Sequence, residues 1–179
     1  MIIVISGPSG VGKSTIIRKI KRDQELYFCV SSTTRRKRTD EIDGVDYHFV
    51  SKSHFKKMIS SNLLVEHEEY GGNQYGTTYQ EIIKENDFQA IILDLEVNGA
   101  LKILNQYKDS VGIFIDINND ILKERLIKRG DHDNLFIKTR LELAKEQREY
   151  IQSFKYHVLN NELELTVKQM NDIIYNGIL

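Results

Sequence analysis

The chain has 179 residues, 40% hydrophobic and 28% charged, a balance that fits one globular domain with a full core and excludes a disordered or fibrous chain. With 25 Lys and Arg against 26 Asp and Glu, the formal net charge of −1 supplies no general field for polyanions, so any anion must be met by a local site. A single cysteine, Cys29 in the apolar stretch YFCV, excludes an intramolecular disulfide, suits a reducing compartment and is expected to serve as a small buried hydrophobe.

The first element is a strand, IIVIS at 2–6. It carries no basic leader and runs into glycines too soon for a signal segment, and no apolar run approaches the ~18 residues of a membrane span. A cytoplasmic protein without a membrane partner is expected. After the strand comes GPSGVGKS at 7–14, then a helix with Ile16, Ile17 and Ile20 as its apolar stripe, and a second strand, YFCVS at 27–31. From 33 to 80 the text turns polar, with strand patches at 47–50 (YHFV) and 63–70 (LLVEHEEY), a helix after Ser51 and a turn at 71–73 (GGN), as expected of an inserted subdomain. Strands return at 90–95 (AIILDL), 111–117 (VGIFIDI) and 156–160 (YHVLN). These runs are nearly all apolar, as strands covered on both faces must be, which predicts an α/β fold with a central parallel sheet between helices. The loop GDHDN at 130–134 separates an arginine-bearing helix from a long helix holding Leu141, Ala144 and Arg148, and is expected to move as a lid. The organisation expected is one domain, with a core of 1–32, 81–124 and 141–179, an insertion at 33–80 and a lid at 125–140.

The segment GPSGVGKS fits G-x-x-x-x-G-K-[ST] with a strand before it and a helix after it. Glycines let backbone N–H groups turn inward around a phosphate chain, and the helix N-terminus adds partial positive charge. Gly7, Pro8, Ser9, Gly10, Val11, Gly12, Lys13, Ser14 and Thr15 are therefore candidates for a nucleoside triphosphate, with Lys13 on the β/γ-phosphates and Ser14 on Mg²⁺. This loop does not name the phosphoryl acceptor.

The basic run RRKR at 35–38 is a candidate address, nucleic-acid patch, solvated charge run or small-anion site. The acidic text TDEIDGVD follows at once and dilutes its field, which argues against nucleic acid and for a small anion.

The strings SSTTRRKR, DGVDYHFVS, VEHEEYGGNQYGTT, ILDLEVNGA, RLIKRGD and LNNEL, in this order behind GPSGVGKST, resemble the guanylate kinase family over essentially the whole chain. The resemblance implies a P-loop three-layer sandwich, Mg²⁺ as the required ion, and transfer of a phosphoryl group from ATP to GMP. It places Arg35, Arg38, Tyr47 and Tyr75 on the GMP phosphate, and Ser31, Glu66, Thr77 and Glu96 on guanine. The carboxylate of Glu66 suits the adjacent N1–H and 2-amino donors of that base. The resemblance also makes Arg125, Arg129 and Arg140 charges that close over the ATP phosphates, Asn160 an adenine-side residue, and Asp94 a group that helps organise Mg²⁺ and its waters. Arg125 and Arg129 stand one helical turn apart and share a face. Arg36 and Lys37 fall outside the pattern and are expected to act by field and solvation.

The chain departs from common family text at Lys37, Thr77, Glu96, Asn98, Asp131 and Asn161, and the longer Glu96, in place of aspartate, bears most on base selectivity. The rival readings are a P-loop kinase of another small phosphate, such as a sugar bisphosphate, and a non-catalytic guanylate-kinase-like binding module. Five scattered histidines offer no metal-ligand spacing. The sequence sets no oligomeric state.

Overall fold

The computed structural model describes residues 1–20, 25–84, 87–128 and 134–178. In chain order the strands are β1 (Ile2–Ser6), β2 (Leu26–Phe28), β3 (Ser32–Thr33), β4 (His48–Phe49), β5 (Leu64–Tyr70), β6 (Asn73–Thr78), β7 (Ala90–Asp94), β8 (Val111–Asp116) and β9 (Tyr156–Leu159). The α-helices are α1 (Lys13–Lys19), α2 (Lys52–Ser60), α3 (Tyr79–Ile83), α4 (Val97–Gln106), α5 (Asn119–Lys128), α6 (Asn134–Arg148) and α7 (Leu163–Asp172).

The main sheet has the order β2-β7-β1-β8-β9 with every pairing parallel. Side chains alternate across it. Ile3 and Ile5 of β1 enter one core layer with Ile16 of α1, Ala144 of α6 and Met170 of α7. Ile2 and Val4 enter the other, with Val97, Ala100 and Ile103 of α4, Phe114 and Phe154. Both faces are thus covered, which is why β1 reads as an unbroken apolar run with all five residues buried. At the edge, β9 has only Val158 fully buried.

A second sheet, β4-β3-β6-β5, is built from residues 32–78 and carries its own small core of Phe55, Met58 and Leu64. Ser51 starts α2 as the side-chain cap, its Oγ accepting from the His54 amide at 3.1 Å. Gly71 and Gly72 turn β5 into β6 with φ of 59° and 74°. The expected strand at 27–31 is divided between the sheets: β2 ends at Phe28, the Val30 amide is taken by Glu81 Oε2 at 2.8 Å, and β3 pairs with β4 and β6. The Glu81 carboxylate also accepts from the Tyr27 hydroxyl at 3.0 Å and from Lys84 at 2.9 Å, so it ties the outgoing chain to the returning α3. Cys29 is half-buried, and burial pushes its thiol pKa up. Arg129 and residues 130–133 of the expected lid lie outside the described residues. Among the described residues no helix is long and apolar enough to cross a membrane.

The chain runs from β1 to β2 on one side of the sheet, and later from β7 past β1 to β8 and β9 on the other. The carboxyl ends of β1 and β7 therefore lie at a topological switch point, where open α/β sheets leave a crevice.

Phe114 is fully buried in β8 with its ring edge-on to Phe154 at 5.2 Å. Phe114→Ala should cost about 3–5 kcal/mol of unfolding free energy in a urea titration, with the denaturant slope unchanged. A loss under about 1 kcal/mol would show that this layer collapses around the gap.

Candidate active site

The turn between β1 and α1 is built by residues without side-chain bulk. Gly7 has φ of 140°, and a Cβ there would overlap the Ile115 carbonyl of β8. Gly12, at φ 101°, precedes α1 in the left-handed region, and a Cβ there would come within 2.6 Å of Asn160 Nδ2. Lys13 folds back across the loop, Nζ donating to the Gly7 carbonyl at 2.6 Å. From behind, the Val11 carbonyl accepts from Asn160 Nδ2 at 2.6 Å and Arg125 Nη1 at 2.8 Å, while Arg125 Nη2 donates to the Asn160 carbonyl at 3.2 Å.

One cleft opens between the two sheets. Its core side presents Pro8, Ser9, Gly10, Gly12, Lys13, Ser14, Asp94 and Glu96, its second-sheet side presents Ser31, Arg35, Arg38, Tyr47, Glu66 and Tyr75, and Arg140 reaches it from α6. Most residues singled out in the sequence thus meet on one surface. Arg125 and Asn160 do not line it; with Gly10, Gly12 and Thr15 they line a neighbouring pocket instead. Val11 is fully buried beneath the loop, and Arg129 lies outside the described residues.

On the second sheet Glu66 faces Thr77 across the β5/β6 pair. Glu66 is 4% exposed, and burial raises its pKa against hydrogen bonds from the Thr77 side chain and backbone. Its Oε1 has no partner among the described residues, and neither does Oε2 of Glu96. Thr77 is fully buried and shares a 2.9 Å hydrogen bond with Ser31. Glu96 stands at the N-cap position of α4, where its backbone carbonyl accepts from the Ala100 amide at 2.9 Å.

The basic run is organised by a residue the sequence reading had counted as diluting charge. Glu41, 6% exposed, receives the Arg35 guanidinium through two bonds of 3.0 and 2.7 Å, the Arg38 amide at 2.7 Å, and Lys37 Nζ on its backbone carbonyl at 2.8 Å. Burial would raise the Glu41 pKa, but the Arg35 fork and the Arg38 amide and charge outweigh it and hold the carboxyl below its ordinary value. Arg36 is exposed. Tyr47 and Tyr75 meet edge to face at 6.1 Å, and Arg35 lies 5.5 Å from the Tyr47 ring. Burial, with Asp94, Tyr75 and Glu96 adding, drives the Tyr47 phenol pKa upward, so it remains a neutral hydroxyl.

Three further residues escaped the sequence reading. Glu68 and Tyr70 line the cleft beside Glu66, as the i, i+2, i+4 spacing on one strand face could have signalled. Gly99 lies in α4 under Glu66, where an added Cβ would sit 2.6 Å from Oε2; nothing local marks it.

Ser14 and Asp94 bring a hydroxyl and a carboxylate to the cleft beside Lys13, hard oxygen donors of the kind Mg²⁺ accepts alongside its waters and substrate phosphates. Burial pushes the Asp94 pKa up to about 6 against the pull of Lys13, so a cation there would meet a carboxylate that gains from being neutralised. The donor set fits that ion. Among the described residues no cluster of three or more His, Cys, Asp or Glu forms an all-protein metal cage.

The guanylate kinase family profile matches residues 1–176. The chain is 38% identical over 177 residues to a guanylate kinase of Clostridium perfringens, covering 97% of this chain and 82% of that one. It is 39% identical over 177 residues to a guanylate kinase of Halalkalibacterium halodurans, covering 97% and 87%. The crystal structure of guanylate kinase from Anaplasma phagocytophilum has the same fold, with a TM-score of 0.79 at 25% identity over 100% of this chain and 86% of that one. On a profile match and relatives that both span nearly its whole length, the chain belongs to the guanylate kinase family.

Proposed function

We propose that the cleft joins ATP and GMP and transfers the γ-phosphoryl group of ATP directly to the GMP phosphate, giving ADP and GDP. The observation that carries the reading is the buried Glu66 carboxylate with an unpartnered oxygen in the cleft that also holds the glycine loop. A base with two adjacent N–H donors satisfies it, and the loop takes the phosphates. Neither rival reading draws on a comparable feature.

The loop amides of Ser9 to Ser14 and the Lys13 ammonium bind the ATP phosphates, and Thr15 extends that set at the start of α1. Ser14 and Asp94 would hold Mg²⁺, which would supply charge neutralisation on the phosphate oxygens. Arg125 acts from behind by fixing the Val11 carbonyl, and Asn160 offers its unpartnered Oδ1 to the adenine side. Arg140 adds positive charge where the phosphoryl group passes. On the acceptor side Arg35, Arg38, Tyr47 and Tyr75 hold the GMP phosphate, with Glu41 keeping the Arg35 fork in one orientation. Ser31, Thr77, Glu66 and Glu96 read the guanine edge. The attacking phosphate oxygen is already ionised, so no general base is required and catalysis rests on positioning and electrostatics.

The base reading is tested by kcat/KM for GMP, IMP and AMP. Glu66→Gln keeps the size of the side chain, removes its charge and adds an amide donor. GMP efficiency should fall about 100-fold or more, while the preference for GMP over AMP, of a class that reaches roughly 10⁴–10⁵ when a buried polar group is left unpaired, narrows. A proportional loss for all three nucleotides would assign Glu66 to structure and reject the reading.

Gly99→Ala attacks the same carboxylate from beneath. Its methyl group displaces Glu66 Oε2, while the helix gains up to ~1 kcal/mol of propensity. KM for GMP should rise about tenfold with KM for ATP unchanged, a change of about 1.4 kcal/mol in binding.

Glu68 lies beside Glu66 and Glu96, and burial followed by those two charges pushes its pKa up to about 7 from 4.5. The folded state therefore prefers the protonated carboxyl, and stability is lost as pH rises from the unfolded value through about 7. Glu68→Gln should stabilise the protein by about 1–2 kcal/mol at pH 8, discounted for solvent screening, and the advantage should vanish by about pH 4.5. Urea titrations across that range give the measurement.

A further inference from the structure

Arg140 is held in an unusual way for a cation at a phosphate site. Its guanidinium carbon lies 4.7 Å from the ring centroid of Tyr70 and 4.7 Å from that of Phe136, and among the described residues it makes no hydrogen bond or ion pair. Phe136 stands one turn away on the same helix, so it can orient Arg140 but cannot tie it to anything else. Tyr70 comes from the far side of the cleft, as the last residue of β5. The next residue, Gly71, leaves room for the stack: a Cβ there would lie 3.0 Å from Arg140 Nη2, at a φ of 59°. Tyr70 and Ser9 of the glycine loop line the same cleft. One side chain thus stacks on the arginine of α6 and borders the same cleft as the phosphate loop while belonging to the strand that carries Glu66.

We propose that Tyr70 is a positioning residue for phosphoryl transfer: by stacking on Arg140 it carries the seating of the acceptor on β5 over to the guanidinium, so that this charge is in place only when the second sheet has closed on the loop. Stacking uses the flat face of the guanidinium and leaves its five N–H donors at the rim for phosphate oxygens. A carboxylate partner would have taken two of those donors, as Glu41 does at Arg35.

The inference rests on the reading of Arg140 as a group that meets the transferring phosphoryl, and the test separates the two. Steady-state kcat and both KM values are measured for Tyr70→Phe, Tyr70→Leu, Gly71→Ala, Arg140→Ala and the Tyr70→Leu/Arg140→Ala double variant, with thermal melting as a folding control. Arg140→Ala should lower kcat about 100-fold. Tyr70→Leu should lower kcat about 5- to 30-fold, the range a desolvated cation–π contact carries, with KM for ATP and GMP within about twofold. Tyr70→Phe, which keeps the ring, should stay within about threefold of the parent. Gly71→Ala, which leaves Tyr70 whole and crowds Arg140, should also lower kcat. In the Arg140→Ala background Tyr70→Leu should have no further effect, because the interaction it breaks is gone. The positioning role is overturned, with the function intact, if the Tyr70→Leu loss is undiminished in that background or if Gly71→Ala retains full kcat. If Arg140→Ala keeps parental kcat, the role given to Arg140 falls as well, while the Glu66 selectivity test stands apart from it.

Discussion

The shape of the site depends on how the chain leaves β1. The sheet brings the backbone of Gly7 so close to the Ile115 carbonyl that no side chain fits, which clamps the start of the loop there. A flexible glycine-rich loop would lose that arrangement to chain entropy. The clamp continues at Val11, whose carbonyl gathers donors from the end of β9 and from α5. The neighbouring β8, the end of β9 and α5 thus hold the loop, and Lys13 completes it by bridging to Gly7.

The second sheet works by the opposite principle. Where the glycine loop is held by contacts already made, the pocket around Glu66 and Glu96 carries groups that are not satisfied among the described residues. Glu66 and Glu96 each hold a buried oxygen with no partner among the described residues, an expensive state for a carboxylate in a folded core. The Ser31–Thr77 pair packs the strand position opposite Glu66, and the bare backbone of Gly99 gives Glu66 the space it occupies. The free energy stored in that state is released to a ligand with matching donors and denied to one without them.

The main sheet was legible because its strands are covered on both faces and therefore read as apolar runs, with Ile2 and Val4 on one side and Ile3 and Ile5 on the other. The strand expected at 27–31 divides for a reason no local pattern carries: a carboxylate far along the chain, Glu81, captures the Val30 amide. The glycine loop was readable from its spacing, whereas Glu66 and the arginines could be chosen only through the ordered set of family motifs. Position along the chain also did not reveal direction. Arg125 lies where the pattern expects it, yet turns to the back of the loop, and Glu41 sits in acidic text that looked like dilution yet closes on Arg35.

That closure determines what the cleft ignores. Because the Arg35 fork is already engaged by a buried carboxylate, that pair is nearly neutral and the more exposed Arg38 carries the remaining positive charge at this end of the cleft. A free inorganic phosphate arriving there competes with an anion that is held in place and has paid no entropy to arrive, so it gains little. An anion tethered to a second group that β5 also binds would be delivered to the same spot at high effective concentration and would gain from every other contact. Small background anions would accordingly be poor competitors for such a tethered ligand.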